Sequence, residues 1–167
     1  MKPRDLVVTA QGARYRGLHL PCSVGRSGIG IKRGEGDGIT PIGRFELCQI
    51  AYRPDRVVLN TALPSLQIGP RDIWCDDPKE PAYNSWQEGR FARYSHESLR
   101  RADPLYDMIG ILDFNWPDAA PGAGSAIFLH IWRKAHHPTE GCVAFRRDHL
   151  AWIFETWEKD ARVIIRG

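Results

Sequence analysis

Short apolar runs cut by glycine and proline turns dominate this chain, and only one segment near its end changes to a helical period. Asp5 to Ala10 and Ala13 to Cys22 read as two strands joined at Gln11-Gly12 into a hairpin. A third strand, Arg44 to Tyr52, is entered from the Thr40-Pro41 turn. Between Arg53 and Asn84 five prolines (Pro54, Pro64, Pro70, Pro78 and Pro81) interrupt any regular pattern, which predicts loop with short strands such as Ile73 to Cys75. Ser98 to Ala102 reads as one helical turn and Leu105 to Phe114 as a buried strand. The run Ser125 to Trp132 is apolar and rich in branched and aromatic residues, a buried strand with His130 near its end. From Arg146 the period lengthens: Leu150, Ile153, Phe154 and Trp157 fall on one face of a helix, with Asp148 in its first turn at the positive end. Arg162 to Arg166 closes the chain as another strand. The expected fold is mainly β with a few helices, a sandwich or barrel in which a helix follows Cys142.

The stretch Phe128 to Ala144 carries the most chemistry, because it joins His130, the turn Thr139-Glu140-Gly141 and Cys142. A free thiol is mostly protonated at neutral pH, so a catalytic cysteine needs a base or a positive neighbour. His130 supplies such a base, and Cys142, just ahead of the predicted helix N-terminus, sits where a thiolate is favoured. Gly141 allows close backbone approach, so the amides of Gly141 and Cys142 form a candidate oxyanion hole. The same residues also admit a plainer reading, in which Cys142 is a small buried hydrophobe.

A second motif lies far upstream. Gly36-Asp-Gly-Ile-Thr40-Pro41-Ile-Gly43-Arg-Phe45 combines a glycine loop, a Thr-Pro turn and a strand start. Taken with His130, Thr139, Gly141, Cys142 and Val143, in this order and at this separation, it resembles the L,D-transpeptidase (YkuD-like) catalytic domain over most of the chain. The middle segments around Ile68 to Pro78 and Ser95 to Asp107 are similar to those of compact, single-domain bacterial members.

That resemblance implies a nucleophilic Cys142 that attacks a carbonyl of a peptidoglycan stem peptide and forms a thioester. It implies His130 as general base, Gly141 beside the oxyanion hole and Thr139 at the motif's Ser or Thr position. An amine from a neighbouring stem then resolves the thioester, with no metal or organic cofactor. The chain departs from the family pattern at Glu140, where a histidine is usual, and at Ala144, where Arg or Asn is usual. Its interval from His130 to Cys142, twelve positions, is also short for the family. These departures bear on donor and acceptor choice, and cross-links from a first-position L-alanine to a third-position diaminopimelate fit compact members of this kind. Glu140 reads either as a contact for a cationic substrate group or as a solvated loop charge.

Other residues hold candidate roles beside plainer ones. Trp132 and Arg133, with Lys134, directly follow the base and can contact glycan or stem carboxylates, although Trp132 also suits a wall or core position. His96 reads as a second polar group of the site or as an exposed histidine. Tyr83, Asn84 and Trp86 read as a lid or as anchors that pack a long loop. His136, His137 and His149 beside His130 and Cys142 raise a zinc site, but no paired ligand spacing supports one.

The composition fits one domain over residues 1–167: the length and the 43% hydrophobic content suffice for one sizeable core. The net charge of +3 is too small to point to nucleic acid, and the cluster Arg90, Arg93, Arg100 and Arg101 is diluted by acidic neighbours. Carboxylate-rich stem peptides or anionic wall polymers suit it equally, and the oligomeric state is left open. No stretch is long and apolar enough to cross a membrane, and the start Met1-Lys-Pro-Arg carries no signal-peptide pattern. A wall enzyme belongs in the periplasm or cell envelope, so the export route conflicts with that start. Cys22, Cys48 and Cys75 read as reduced core residues or as one disulfide plus a free thiol.

Overall fold

The computed structural model describes residues 2–89 and 93–167, and its order of elements is strand-rich. The chain begins with β1 (Leu6–Thr9), β2 (Gly12–Tyr15), β3 (Leu18–Leu20), β4 (Cys22–Ser23), β5 (Ile29–Gly30), β6 (Thr40–Pro41), β7 (Gly43–Phe45) and β8 (Leu47–Tyr52). It continues with β9 (Ser65–Gln67), β10 (Asp72–Cys75), β11 (Ser85–Glu88), β12 (His96–Ser98) and β13 (Met108–Leu112). The last elements are β14 (Phe128–Ile131), β15 (Val143–Phe145), α1 (Arg147–Glu155) and β16 (Val163–Ile165). The fold is therefore mainly β, with one α-helix among the described residues.

Two larger sheets and two small ones organise these strands. A five-stranded sheet runs β3-β2-β1-β16-β7, and a six-stranded sheet runs β4-β15-β14-β13-β8-β9. In the latter β14 and β15 are parallel, His130 facing Ala144 in register, and the Arg133 to Cys142 loop makes the return. A three-stranded sheet, β11-β10-β12, and the parallel pair β5-β6 complete the set.

Alternation along the six-stranded sheet sends successive side chains into two different cores. One face gives Leu129, Ile131, Val143, Phe145 and Met108 to a core shared with the five-stranded sheet and with Leu150, Ile153 and Phe154 of α1. The other gives Ile109, Ile111 and Phe128 to a core with Trp74, Leu99 and Tyr106, and Cys142 packs against it. Gly110 lies on the helix side, where a Cβ would come within 2.6 Å of Leu47 and 2.9 Å of Phe154, so only glycine lets α1 approach this closely.

Several expected elements take a different form. The expected strand from Ala13 to Cys22 is cut by a tight turn at Arg16 (φ 48°) and Gly17 (φ 82°), so β2 and β3 form a second hairpin. Ser98 to Ala102 is not helical; His96 to Ser98 pairs with Ile73 to Cys75, and cross-strand pairing overrides the local helical tendency. Within the proline-rich segment β9 adds to the edge of β8, and β11 lies against β10. Cys22, Cys48, Cys75 and Cys142 are all free thiols.

Candidate active site

His130 lies in β14, a central strand whose four residues are all buried. Its Nδ1 is 2.8 Å from the carbonyl oxygen of Ile131; a carbonyl can only accept, so Nδ1 carries the proton and Nε2 keeps its lone pair. The ring stands edge-on to Tyr106, with centroids 5.4 Å apart. Burial pushes its pKa down to about 4, against the opposing Ile131 hydrogen bond, so the imidazole is neutral at neutral pH.

Cys142 immediately precedes β15 and faces the same side of the sheet as His130. Its Sγ donates to the Ala126 carbonyl at 3.0 Å and accepts from the Phe128 amide at 3.3 Å. Burial, and after it the Glu97 carboxylate, pushes the thiol up to about 12, against the Phe128 hydrogen bond and the Lys32 charge. The expected thiolate at a helix N-terminus is thus corrected. The helix begins five residues later at Arg147 and packs on the opposite face of the sheet, so its dipole does not reach Sγ. The larger cavity described below is therefore lined at rest by a protonated thiol and a neutral imidazole.

The turn before Cys142 is held by two threonines. Thr139 Oγ1 accepts from the Gly141 amide at 3.2 Å and donates to the Cys142 carbonyl at 2.6 Å. Thr40, fully buried, accepts from the Gly25 amide at 2.7 Å and reaches the same Cys142 carbonyl at 3.5 Å. The two distant motifs of the sequence therefore meet at one peptide group. Gly141 adopts φ +147°, and a Cβ there would lie 2.9 Å from the Ile39 carbonyl, so the position requires glycine. The Gly141 amide is engaged by Thr139, so it is not a free donor of the kind expected for an oxyanion hole.

Cys142 stands where two cavities meet, and Glu97 and Glu140 also line both. A cavity of about 250 Å³ is walled by Lys32, Asp76, Ser125, Ala126 and Gly141. The other, about 460 Å³, is walled by His96, Arg101, Tyr106, His130, Arg133 and Thr139. Ala144, one of the departures from the family pattern, also faces this larger cavity.

Of the residues singled out in the sequence, Cys142, His130, Gly141, Thr139, Glu140, Arg133 and His96 come together at this junction. Trp132 and Tyr83 are not among the cavity walls, and Glu140, which is among them, has a partner of its own. Glu140 is largely exposed and paired with Arg26. Trp132 follows β14 and is not part of either wall. Tyr83 is buried, donating to Glu35 and accepting from the Gly124 amide, while Asn84 accepts from Trp74 Nε1 at 3.0 Å. These two are packing residues of the core and not a lid. Among the described residues no three metal-binding side chains are grouped to hold an ion. In the basic cluster Arg100 pairs with Asp55 and Arg101 with Asp103, while Arg90 lies outside the described residues.

Lys32 and Glu97 also belong to the site, without a local signal in the sequence. Lys32 is almost fully buried and paired with Asp37 at 2.7 Å, which holds the Asp37 carboxyl down to about 2. Glu97 accepts from the buried Tyr106 hydroxyl beside Cys142. A lone lysine in a glycine loop and a Glu beside His96 give no local signal, since their partners are brought in by strand pairing.

A family model for the L,D-transpeptidase catalytic domain (YkuD) matches residues 2–165. The comparisons with curated proteins and with solved structures each gave no match. Among the described residues no helix is long and apolar enough to cross a membrane. Members of the matched family are cysteine-dependent, act on peptidoglycan and are typically associated with the cell envelope. With a match across nearly its whole length, this chain belongs to the L,D-transpeptidase catalytic domain family.

Proposed function

We propose that this chain, acting as one domain in the cell envelope, cross-links peptidoglycan stem peptides through a thioester on Cys142. The observation that carries the reading is that Cys142 and His130 lie on one face of the sheet and line one cavity, with the His130 Nδ1 proton directed to a carbonyl so that Nε2 keeps its lone pair.

In the first step Sγ turns from the Ala126 carbonyl toward His130 Nε2, which takes its proton as sulfur attacks the donor carbonyl. The Cys142 amide stabilises the developing oxyanion. Collapse forms the thioester and breaks the donor's amide bond; His130 passes the proton to the leaving amine. In the second step an acceptor amine attacks the thioester, its C–N bond forms, the C–S bond breaks, and the amine proton returns through His130 to Sγ. Because His130 serves leaving and entering amines alike, both belong in the 460 Å³ cavity that it lines, and the donor's acyl part belongs in the 250 Å³ cavity. A thiol held up to about 12 fits this order, since it ionises only as substrate arrives and His130 takes the proton. Arg133 and His96 border the amine cavity and are placed to meet stem carboxylates.

Purified muropeptides incubated with the protein, with products resolved by mass, test the reading. Cross-linked dimers support it, and their fragmentation distinguishes bonds from L-alanine from bonds between two diaminopimelates. Trimmed monomers alone would assign the same thioester to an L,D-carboxypeptidase, and no change in the muropeptides would overturn the proposal.

A further inference from the structure

Glu97 has no part in the chemistry above, yet it occupies the centre of the site. It belongs to β12, the edge strand of the small sheet, where it pairs in register with Trp74. Its carboxylate accepts from the hydroxyl of Tyr106, a buried residue whose ring also contacts His130. One carboxylate oxygen is thereby fixed, and the residue lines both cavities where they meet at Cys142.

Burial raises the pKa of the Glu97 carboxyl, against the Tyr106 hydrogen bond, and in its charged form Glu97 opposes ionisation of Cys142: after burial it is the largest influence holding the thiol proton on. A charge that works against the nucleophile calls for a positive partner elsewhere in the reaction. The second substrate of a thioester-forming transpeptidase is a primary amine, and near neutral pH it arrives as an ammonium ion. The larger cavity, where the entering amine belongs, points the same way. Glu97 lines it beside His130 and Cys142. Two cations that line the site are already paired, Arg101 with Asp103 and Lys32 with Asp37.

We propose that Glu97 is a specificity-determining residue that draws the ammonium group of the acceptor to the thioester, with Tyr106 fixing the orientation of its carboxylate. This rests on the transpeptidase reading. The held ammonium releases one proton to water before its nitrogen attacks, and the second proton follows the His130 route to Sγ.

Capture of the acyl-enzyme by two amines tests the role. Diaminopimelate-containing stems present an ammonium, whereas hydroxylamine is uncharged near neutral pH. Glu97→Gln should lower kcat/KM for the stem acceptor by about tenfold or more, as loss of a charge-assisted contact does. Capture by hydroxylamine should stay within about twofold, because no ammonium is involved. Glu97→Asp should restore part of the loss, and Tyr106→Phe, which keeps the ring and the fold of the core, should show a smaller loss of the same selectivity. Equal losses with both amines, or no loss with the stem, would overturn the proposal. A wild-type protein that forms no thioester would fail at an earlier, separately visible step and would remove the transpeptidase reading and this role together.

Discussion

Val143 and Phe145 point from β15 toward α1, while Cys142 and Ala144 point the other way, and the two directions lead into different chemistry. The helix side is sealed by apolar side chains from two sheets and α1. The other side begins as an equally apolar core at Ile109, Ile111 and Phe128, then opens along its edge into cavities lined by Glu97, His130 and Cys142. A strand that alternates can thus serve stability with one set of residues and hold buried polar groups with the other. Those polar groups tolerate burial because their alternation partners anchor the strand.

This contrast yields a ranking of effects. Replacing Cys142 with alanine should abolish product formation, by roughly a thousandfold or more, while leaving the protein folded; muropeptide analysis and a thermal melt read the two quantities. On the helix side the pattern should invert. Phe154→Ala should cost about 3–5 kcal/mol of stability in a denaturant titration, with little change in turnover where the protein remains folded. A Phe154 variant that lost activity without losing stability would break the division between the faces.

The third effect is one of pH. His130 has its folded pKa lowered from 6.5 to about 4, so between those values the unfolded chain binds the extra proton. Its contribution is therefore complete above about pH 6.5 and is lost as the pH falls toward 4, in all about 3 kcal/mol. His130→Gln should flatten that part of the stability profile, and an unchanged slope would assign the acid sensitivity to other groups. Thr40→Val should cost about 1–3 kcal/mol, because the buried Gly25 amide loses its acceptor, and should also slow turnover by loosening the Cys142 peptide. Smallest of all, Glu140→Gln should change activity less than about twofold, since that carboxylate is exposed and paired with Arg26. A large loss there would return Glu140 to the substrate-binding residues.

The helix side was the more legible of the two in the sequence. Leu150, Ile153 and Phe154 state a helical face by their spacing alone, and the short apolar runs state their strands. Cys142, His130 and Gly141 could be singled out because their chemistry is local to one segment, and Thr40 because it belongs to a motif. Glu97, Tyr106 and Lys32 could not, because Glu97 reaches the site through the β10–β12 pairing, Tyr106 through its contact with His130 and Lys32 through its approach to Gly141, all long-range events. The environment of Cys142 departs from its local sequence signal for a related reason. Proximity in sequence to Arg147 implied a helix dipole, but the alternation of β15 turns the sulfur to the far side of the sheet.

The most direct test of the account is the intact mass of the protein after brief exposure to a purified stem-peptide donor, followed by peptide mapping. The account predicts an added acyl mass on the peptide that contains Cys142, removed by added amine and absent from Cys142→Ala. Continued turnover by Cys142→Ala, or an adduct mapped to Cys22, Cys48 or Cys75 in its place, would contradict it.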